Sequence, residues 1–137
     1  MGCSVAAESS APEVITVFRG GRAGTTVIKS AAAREGEYAS SQRIIDSNNL
    51  DDLFRSHALD SASPPSPFIS VTTDPAVARH FAGPTGVVNE LRIPASRASK
   101  NQFNNYVVPA GPGGQLIPGA ELLVPNYIRP SEFVRKY

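Results

Sequence analysis

Apolar residues along this chain occur in short runs that glycine, proline and asparagine residues separate. Residues 14–19 (VITVFR) are β-branched and aromatic and lie between Pro12 and the pair Gly20-Gly21, which predicts a strand. Similar runs predict further strands at residues 68–72, 86–94, 106–109 and 121–125, and one more strand segment in the tail at 126–137. The pattern is therefore typical of a protein that is rich in short strands.

Helical spacing occurs in two places ahead of residue 60. The pair Asn48-Asn49 is suited to cap a helix, because asparagine side chains accept hydrogen bonds from the first turn. One face of that helix carries residues at 3/4 spacing, namely Leu50, Leu53, Phe54 and His57. A shorter helix is expected near residues 27–34 and is broken at Gly36. The proline-rich segment 61–67 then predicts a loop.

The stretch SPFISVTTDPAVARHFA, residues 66–82, combines a strand, a group of hydroxyls and a helix. Thr73 or Asp74 is expected to cap the helix. The inner face of this helix is expected to comprise Val77, Ala78, Phe81 and Ala82. Alternation along the strand places Ser70 and Thr72 on one face. Capping does not account for these two hydroxyls, and each would cost about 1–3 kcal/mol if it were buried without a partner.

The composition places the chain in a broad class. Its 137 residues are typical of one domain, and short strands with inserted helices predict an α+β fold. The formal net charge of +1 gives no electrostatic argument for binding to nucleic acid or membranes. No apolar run is long enough for a transmembrane helix, and a single cysteine, Cys3, excludes an intramolecular disulfide. His57 and His80 lack partners at the spacing of a zinc site, so no metal is expected.

The N-terminal segment is expected to lie outside the folded domain. Residues 1–12 are interpreted as a disordered leader and residues 13–137 as a single domain. The leader has neither the basic nor the apolar region of a secretory signal. Residues 1–3 (MGC) match the start of an acylation motif, but Ala6 stands where that motif requires serine or threonine. We therefore favour an unmodified leader over an acylated terminus.

Two charged residues stand at strand ends beside glycine-rich segments. Arg19 precedes Gly20-Gly21, where the backbone can approach a ligand closely, and a guanidinium there suits a bidentate grip on phosphate or carboxylate. Glu121 follows the Gly/Pro-rich loop at 110–120, a position where functional acids are often found. Each residue also has a plain structural interpretation as a strand-end charge that faces water. The residues alone leave both interpretations open.

Taken in order, these segments resemble the R-S-E group of ADP-ribosyltransferases. This group contains the cholera-toxin and pertussis-toxin-like enzymes and includes small toxin domains of bacterial effectors. The resemblance spans about residues 14–134 and lies in VFRG (17–20), FISVTTDPAVARHFA (68–82), GVVNELRIP (86–94) and ELLVPNYIRPSEF (121–133). It implies an α+β fold of the ADP-ribosyltransferase type, a split β-sandwich of two small sheets with a few short helices.

The resemblance also implies a reaction and roles for individual residues. The enzyme would transfer ADP-ribose from NAD to a macromolecular target and release nicotinamide, without a metal. Glu121 would be the catalytic carboxylate beside the ribose. Arg19, with Gly20, would face the diphosphate side of NAD. Ser70 and Thr72 would belong to the NAD-binding site and orient the glutamate by hydrogen bonding.

The sequence departs from the family pattern in two places. Val71 occupies the middle of the serine–threonine–serine motif, where the family carries threonine. This position faces away from the site, so the absence of the threonine hydroxyl is tolerable. Gly119 stands two residues before Glu121, where arginine-modifying members carry glutamate and others carry glutamine. The acceptor is therefore not assigned, and Gln115 in the loop is a candidate substitute. Phe81 would wall the nicotinamide pocket, although packing in the core is the favoured interpretation.

Three functions follow from these observations. A mono-ADP-ribosyltransferase is favoured, an NAD glycohydrolase that uses water at the same site is the second, and a binding module without catalysis is the third. Phe103 and Tyr106 would contact NAD or the target. A protein acceptor is favoured over nucleic acid, and an interbacterial toxin would also need an immunity protein. The domain would be secreted or injected and act in the cytoplasm of a target cell.

Overall fold

The computed structural model of the protein describes residues 13–110 and 112–137. The strands are β1 (Val14–Gly21), β2 (Ile28–Lys29), β3 (Phe68–Thr72), β4 (Val87–Pro94), β5 (Ser99–Lys100), β6 (Val107–Pro109), β7 (Leu116–Pro118), β8 (Glu121–Pro125), β9 (Tyr127–Ile128) and β10 (Phe133–Lys136). The helices are α1 (Ala31–Glu35), α2 (Tyr38–Ser47), α3 (Leu50–Leu59) and α4 (Pro75–Ala82). The expected leader, with the MGC start, lies outside the described residues.

The largest sheet has six antiparallel strands in the order β10-β4-β1-β3-β8-β5. Strand β1 pairs with β4 at eight positions and β3 pairs with β8 at five, but β1 and β3 meet only at Phe18 and Thr72. The sheet therefore consists of two three-stranded halves joined at one residue pair. Two short ribbons, β2-β9 and β6-β7, complete the β structure.

The α+β class predicted from the sequence is confirmed. The two small sheets that were expected correspond to the two halves, which remain joined at the β1/β3 pair. Among the described residues, none of the helices has the length and apolar character that crossing a membrane requires.

The main hydrophobic core lies on one face of the sheet. It is formed by apolar residues of β1–β4, β8 and β9, namely Val17, Ile28, Ile69, Val71, Leu91, Ile93, Val124 and Ile128. The other face of β3 and β8 packs against α3 through Phe54, Phe68 and Leu123. Burial of both faces explains why β8 is apolar at every position after Glu121.

Helix α4 begins as the sequence predicts. The Asp74 carboxylate caps it by accepting a hydrogen bond from the Ala76 backbone N–H at 2.9 Å, and Pro75 occupies the first turn. A Cβ atom at Gly20 would lie 2.5 Å from the Ala78 carbonyl oxygen, so only glycine lets β1 approach this helix so closely. The fit places the end of β1 beside the last turn of α4, between Ala78 and Ala82.

Three local predictions were wrong or incomplete. The helix expected near 27–34 begins only at Ala31, because Ser30 caps it by accepting from the Ala33 N–H at 3.1 Å, and β2 precedes it. Helix α2 was not predicted, since its sequence is mostly polar and its apolar spacing is weak. The segment 110–120 was predicted to be a loop, but it contains β7, in which Ile117 pairs with Val108 of β6.

Candidate functional site

A cavity of about 550 Å³ opens where the two halves of the sheet part. Its volume lies in the usual range for small-molecule sites. The side chains come from β1, α3, β3, α4 and β8 and from the 104–106 segment. The six residues that the resemblance assigns to catalysis or NAD binding all line it: Arg19, Gly20, Ser70, Thr72, Phe81 and Glu121. The fold therefore brings together segments that are as much as a hundred residues apart in the chain.

Glu121 is a buried carboxylate at the start of β8, with 7% of its surface exposed. It lies directly across the strand pair from Thr72, so both side chains project from the same face. The Asn101 Nδ2 atom donates a hydrogen bond to Glu121 Oε1 at 3.0 Å. Asn101 is itself fixed, because its amide also donates to the Phe54 carbonyl and accepts from the Phe103 N–H. The carboxylate is thus held in place by a buried amide.

The hydroxyls of β3 make different contacts from those expected. Ser70 Oγ is hydrogen-bonded to His57 Nε2 at 2.7 Å. Thr72 Oγ1 donates to the Gly119 carbonyl at 2.8 Å and accepts from the Asp74 N–H. Among the described residues, neither hydroxyl bonds to the Glu121 carboxylate, which Asn101 supports instead. Thr72 acts on the glutamate only indirectly, by fixing the backbone two residues before it.

His57 is a site residue that the sequence analysis did not identify. Its Nδ1 atom is hydrogen-bonded to Ser66 Oγ at 2.6 Å and its Nε2 atom to Ser70 Oγ, so the imidazole connects two serines. Burial lowers the pKa of His57, the charge of Glu121 opposes this effect, and the charge of Arg19 adds to it. The ring is therefore neutral at pH 7. A histidine on the apolar face of α3 was the one signal in the sequence.

Arg19 joins the two halves of the sheet. Its Nη1 atom donates to the Ser70 carbonyl at 2.7 Å, across the point where β1 and β3 separate. Burial lowers the pKa of the guanidinium, and the nearby charge of Arg34 lowers it further. Within the described residues Arg19 forms no ion pair. It is thus a half-buried cation at the cavity that forms no salt bridge with a described residue.

Two aromatic rings border the opening of the cavity. Phe81 was predicted to belong to the inner face of α4 and was assigned mainly to the core, but 60% of its surface is exposed. It packs edge-on against Tyr106, with ring centroids 5.9 Å apart. Burial raises the pKa of the Tyr106 hydroxyl, and the charge of Glu121 raises it further. The core assignment of Phe81 is therefore wrong, and the ring is available to a ligand.

Tyr106 also explains the glycine two residues before Glu121. A Cβ atom at Gly119 would overlap the Tyr106 ring, and the Gly119 N–H donates to the Tyr106 carbonyl at 2.9 Å. The aromatic ring thus occupies the space that a glutamate or glutamine side chain would need at this position. The candidate substitute Gln115 is exposed and does not line the cavity. Phe103 packs beside α3 under the Arg55 guanidinium, also away from the cavity lining.

A comparison of the sequence with protein-family models and with curated proteins found no match. Within residues 13–110 and 112–137, no group of three or more His, Cys, Asp or Glu side chains is placed to hold a metal ion.

Proposed function

We propose that the protein is a mono-ADP-ribosyltransferase that transfers ADP-ribose from NAD to a macromolecular acceptor and releases nicotinamide. The observation that carries this proposal is the convergence of Arg19, Ser70 and Glu121, from three separate segments, on one cavity. The parting of the sheet at the β1/β3 pair supports the more specific assignment of a split β-sandwich of this class. NAD is the substrate that this arrangement of one cation and one carboxylate fits best.

The proposed reaction breaks the glycosidic bond between ribose and nicotinamide. The bonding electron pair leaves with the nicotinamide nitrogen, and positive charge develops on the ribose, as in glycoside hydrolysis. Glu121 stabilises this charge, because a fixed carboxylate in a buried site interacts more strongly than one in water. A nucleophile of the acceptor then bonds to the same ribose carbon and loses its proton.

The residues around Glu121 have distinct proposed roles. Asn101 and Thr72 keep the carboxylate and its backbone in place, so that little reorganisation is needed during the reaction. Arg19 binds the diphosphate side of NAD, since a guanidinium suits paired contacts with phosphate oxygens. The exposed ring of Phe81, with Tyr106 behind it, provides an apolar wall for nicotinamide.

Acceptor choice must rest on groups other than the side chain of residue 119. Gly119 offers no carboxylate or amide, and the Tyr106 ring occupies the space beside it. We therefore do not propose arginine as the acceptor. The net charge of +1 favours a protein over nucleic acid. In this proposal the domain acts as a secreted or injected effector in a target cell, and an interbacterial toxin would have an immunity protein that covers the cavity.

The test is incubation of the purified protein with NAD labelled in its ADP-ribose part, with and without cell lysate. A transferase releases nicotinamide faster in the presence of lysate and leaves label on a macromolecule. Equal release with and without lysate, and no labelled macromolecule, would assign the site to an NAD glycohydrolase. No nicotinamide release under either condition would overturn catalysis and favour a binding module.

A further inference from the structure

A second, smaller cavity of about 280 Å³ lies next to the first. It is bordered by the end of β1, by β2 and by α1, and it shares Arg19 and Gly20 with the main cavity. Three cationic side chains line it, one from each of these elements: Arg19, Lys29 and Arg34. We refer to this cavity, together with Asn89 on its wall, as the basic pocket.

The charges of the basic pocket have no acidic counterpart in its described lining. Among the residues that the structure describes, no aspartate or glutamate lines it. Over residues 13–110 and 112–137, the ion pairs involve other arginines and none of these three cations. The Arg34 charge even lowers the pKa of Arg19, which shows that the two guanidinium groups repel each other. Like charges gathered around a concave surface create a strong local potential for anions.

Asn89 adds an uncharged donor to the same pocket. Its side chain is 1% exposed, and its Oδ1 atom accepts a hydrogen bond from Lys136 Nζ at 3.0 Å. An ammonium can only donate, so this contact fixes the orientation of the amide. The Nδ2 atom then has no hydrogen-bond partner among the described residues. A buried donor left without a partner destabilises the fold unless a ligand accepts from it.

Gly21 lies against this donor in the wall of the pocket. A Cβ atom at Gly21 would come within 3.3 Å of Asn89 Nδ2, which is buried beneath the wall surface. The pocket thus combines three cations with one buried N–H₂ group in its wall, and all four groups donate hydrogen bonds. A ligand that matches them must be an anion with several acceptor oxygens, and phosphate esters meet both conditions.

We propose that the basic pocket binds the phosphate group of a ligand through Arg19, Lys29, Arg34 and Asn89. Two sources of this phosphate share the same chemistry. One is the diphosphate of a dinucleotide that reaches over from the main cavity, and the other is a phosphate carried by the acceptor. The site itself does not depend on cleavage of NAD, although the first source rests on the function proposed above.

The probe for this site is inorganic pyrophosphate, with binding to the full chain measured by calorimetry at fixed ionic strength. Arg34→Gln removes an exposed cation of the pocket and leaves the buried residues intact. We expect it to weaken pyrophosphate binding about 10-fold or more, which is the loss of one charged hydrogen bond. The matched control is Arg43→Gln, an exposed arginine of α2 that lines none of the cavities described here and should leave binding unchanged.

Two further ligands distinguish the sources. If the phosphate belongs to the dinucleotide, Arg34→Gln weakens NAD binding by a similar factor and leaves the binding of nicotinamide riboside, which has no phosphate, unchanged. If the phosphate belongs to the acceptor, the variant weakens the binding of pyrophosphate but not of NAD. Failure of the wild type to bind millimolar pyrophosphate, or equal weakening by Arg34→Gln and Arg43→Gln, would overturn the proposal. These are binding measurements, so the absence of NAD cleavage would not affect them.

Discussion

The two halves of the six-stranded sheet differ in whether the polar side chains near the cavities have protein partners. In the half that contains β3 and β8, Ser70, Thr72 and Glu121 are each hydrogen-bonded to another protein group. In the half that contains β1 and β4, Arg19 forms no ion pair and the Asn89 amide keeps a donor without a partner, as far as the described residues extend. The main cavity therefore lies between three side chains that are hydrogen-bonded within the protein and a cation that no described salt bridge neutralises.

Under the proposed function, this difference corresponds to two different tasks. A carboxylate that stabilises developing positive charge must be held still, and buried hydrogen bonds hold it. Groups that receive an anionic ligand must instead keep their donors available until the ligand arrives. The contrast leads us to expect that changes in the β3/β8 half alter turnover, whereas changes in the β1/β4 half alter affinity. The following variants test that division.

Arg19→Met should have a larger effect than the changes at Asn101 and His57, because it removes a cation that lines both cavities. We expect NAD affinity to fall about 10- to 100-fold, the equivalent of one charged hydrogen bond, with a smaller change in the maximal rate. Titration calorimetry and the NAD dependence of nicotinamide release measure the two quantities. Arg43→Met is the control. Unchanged affinity would mean that Arg19 serves only to tie β1 to β3.

Asn101→Ala should act on turnover and leave NAD affinity nearly unchanged. Loss of its hydrogen bond to Glu121 is expected to reduce the maximal rate about 10-fold, because the carboxylate is then less well fixed. Asn101→Asp instead replaces the donor with a second carboxylate beside the first, and we expect it to reduce the maximal rate at least as much. If neither variant changes the rate, Asn101 has only a structural role.

His57→Gln should have the smallest effect, on the pH dependence of stability. The unfolded chain takes up a proton near pH 6.5, but the buried imidazole has a lowered pKa and stays neutral until lower pH. The stability of the wild type should therefore fall as the pH drops below about 6.5, by at most about 1.4 kcal/mol per pH unit. Urea unfolding at two pH values measures this slope.

The control for that measurement is His80→Gln, which changes an exposed histidine of α4. We expect it to keep the slope of the wild type, whereas His57→Gln flattens it. An identical slope in His57→Gln and the wild type would show that the imidazole titrates as it would in water.

Local rules were sufficient for some elements of the fold. Strand β3 and the start of α4 were predictable because β-branched residues, an aspartate cap and a first-turn proline each act within a few positions. Helix α2 escaped prediction because its stability comes from contacts that a polar sequence does not display. One such contact is the buried hydrogen bond between Ser30 and Ser41.

The site was predictable only in its charged and hydroxyl residues. Arg19 and Glu121 stand out because Arg19 ends a predicted strand and Glu121 begins one, each beside a glycine-rich segment, whereas Asn101 and His57 have no such position. Their importance arises from partners 20 and 13 residues away, which only the folded chain brings together. The basic pocket is a similar case, since Lys29, Arg34 and Asn89 lie on three different elements.

In the proposed function, the fixed carboxylate of Glu121 promotes cleavage of NAD that is bound by the other half of the sheet. The most direct test is the rate of nicotinamide release at saturating NAD for the wild type, Glu121→Gln and the exposed-carboxylate control Glu35→Gln. We expect Glu121→Gln to lose about 10²- to 10³-fold in rate, with folding and NAD affinity retained, while the control matches the wild type. Equal rates in Glu121→Gln and the wild type would show that Glu121 does not take part in the reaction.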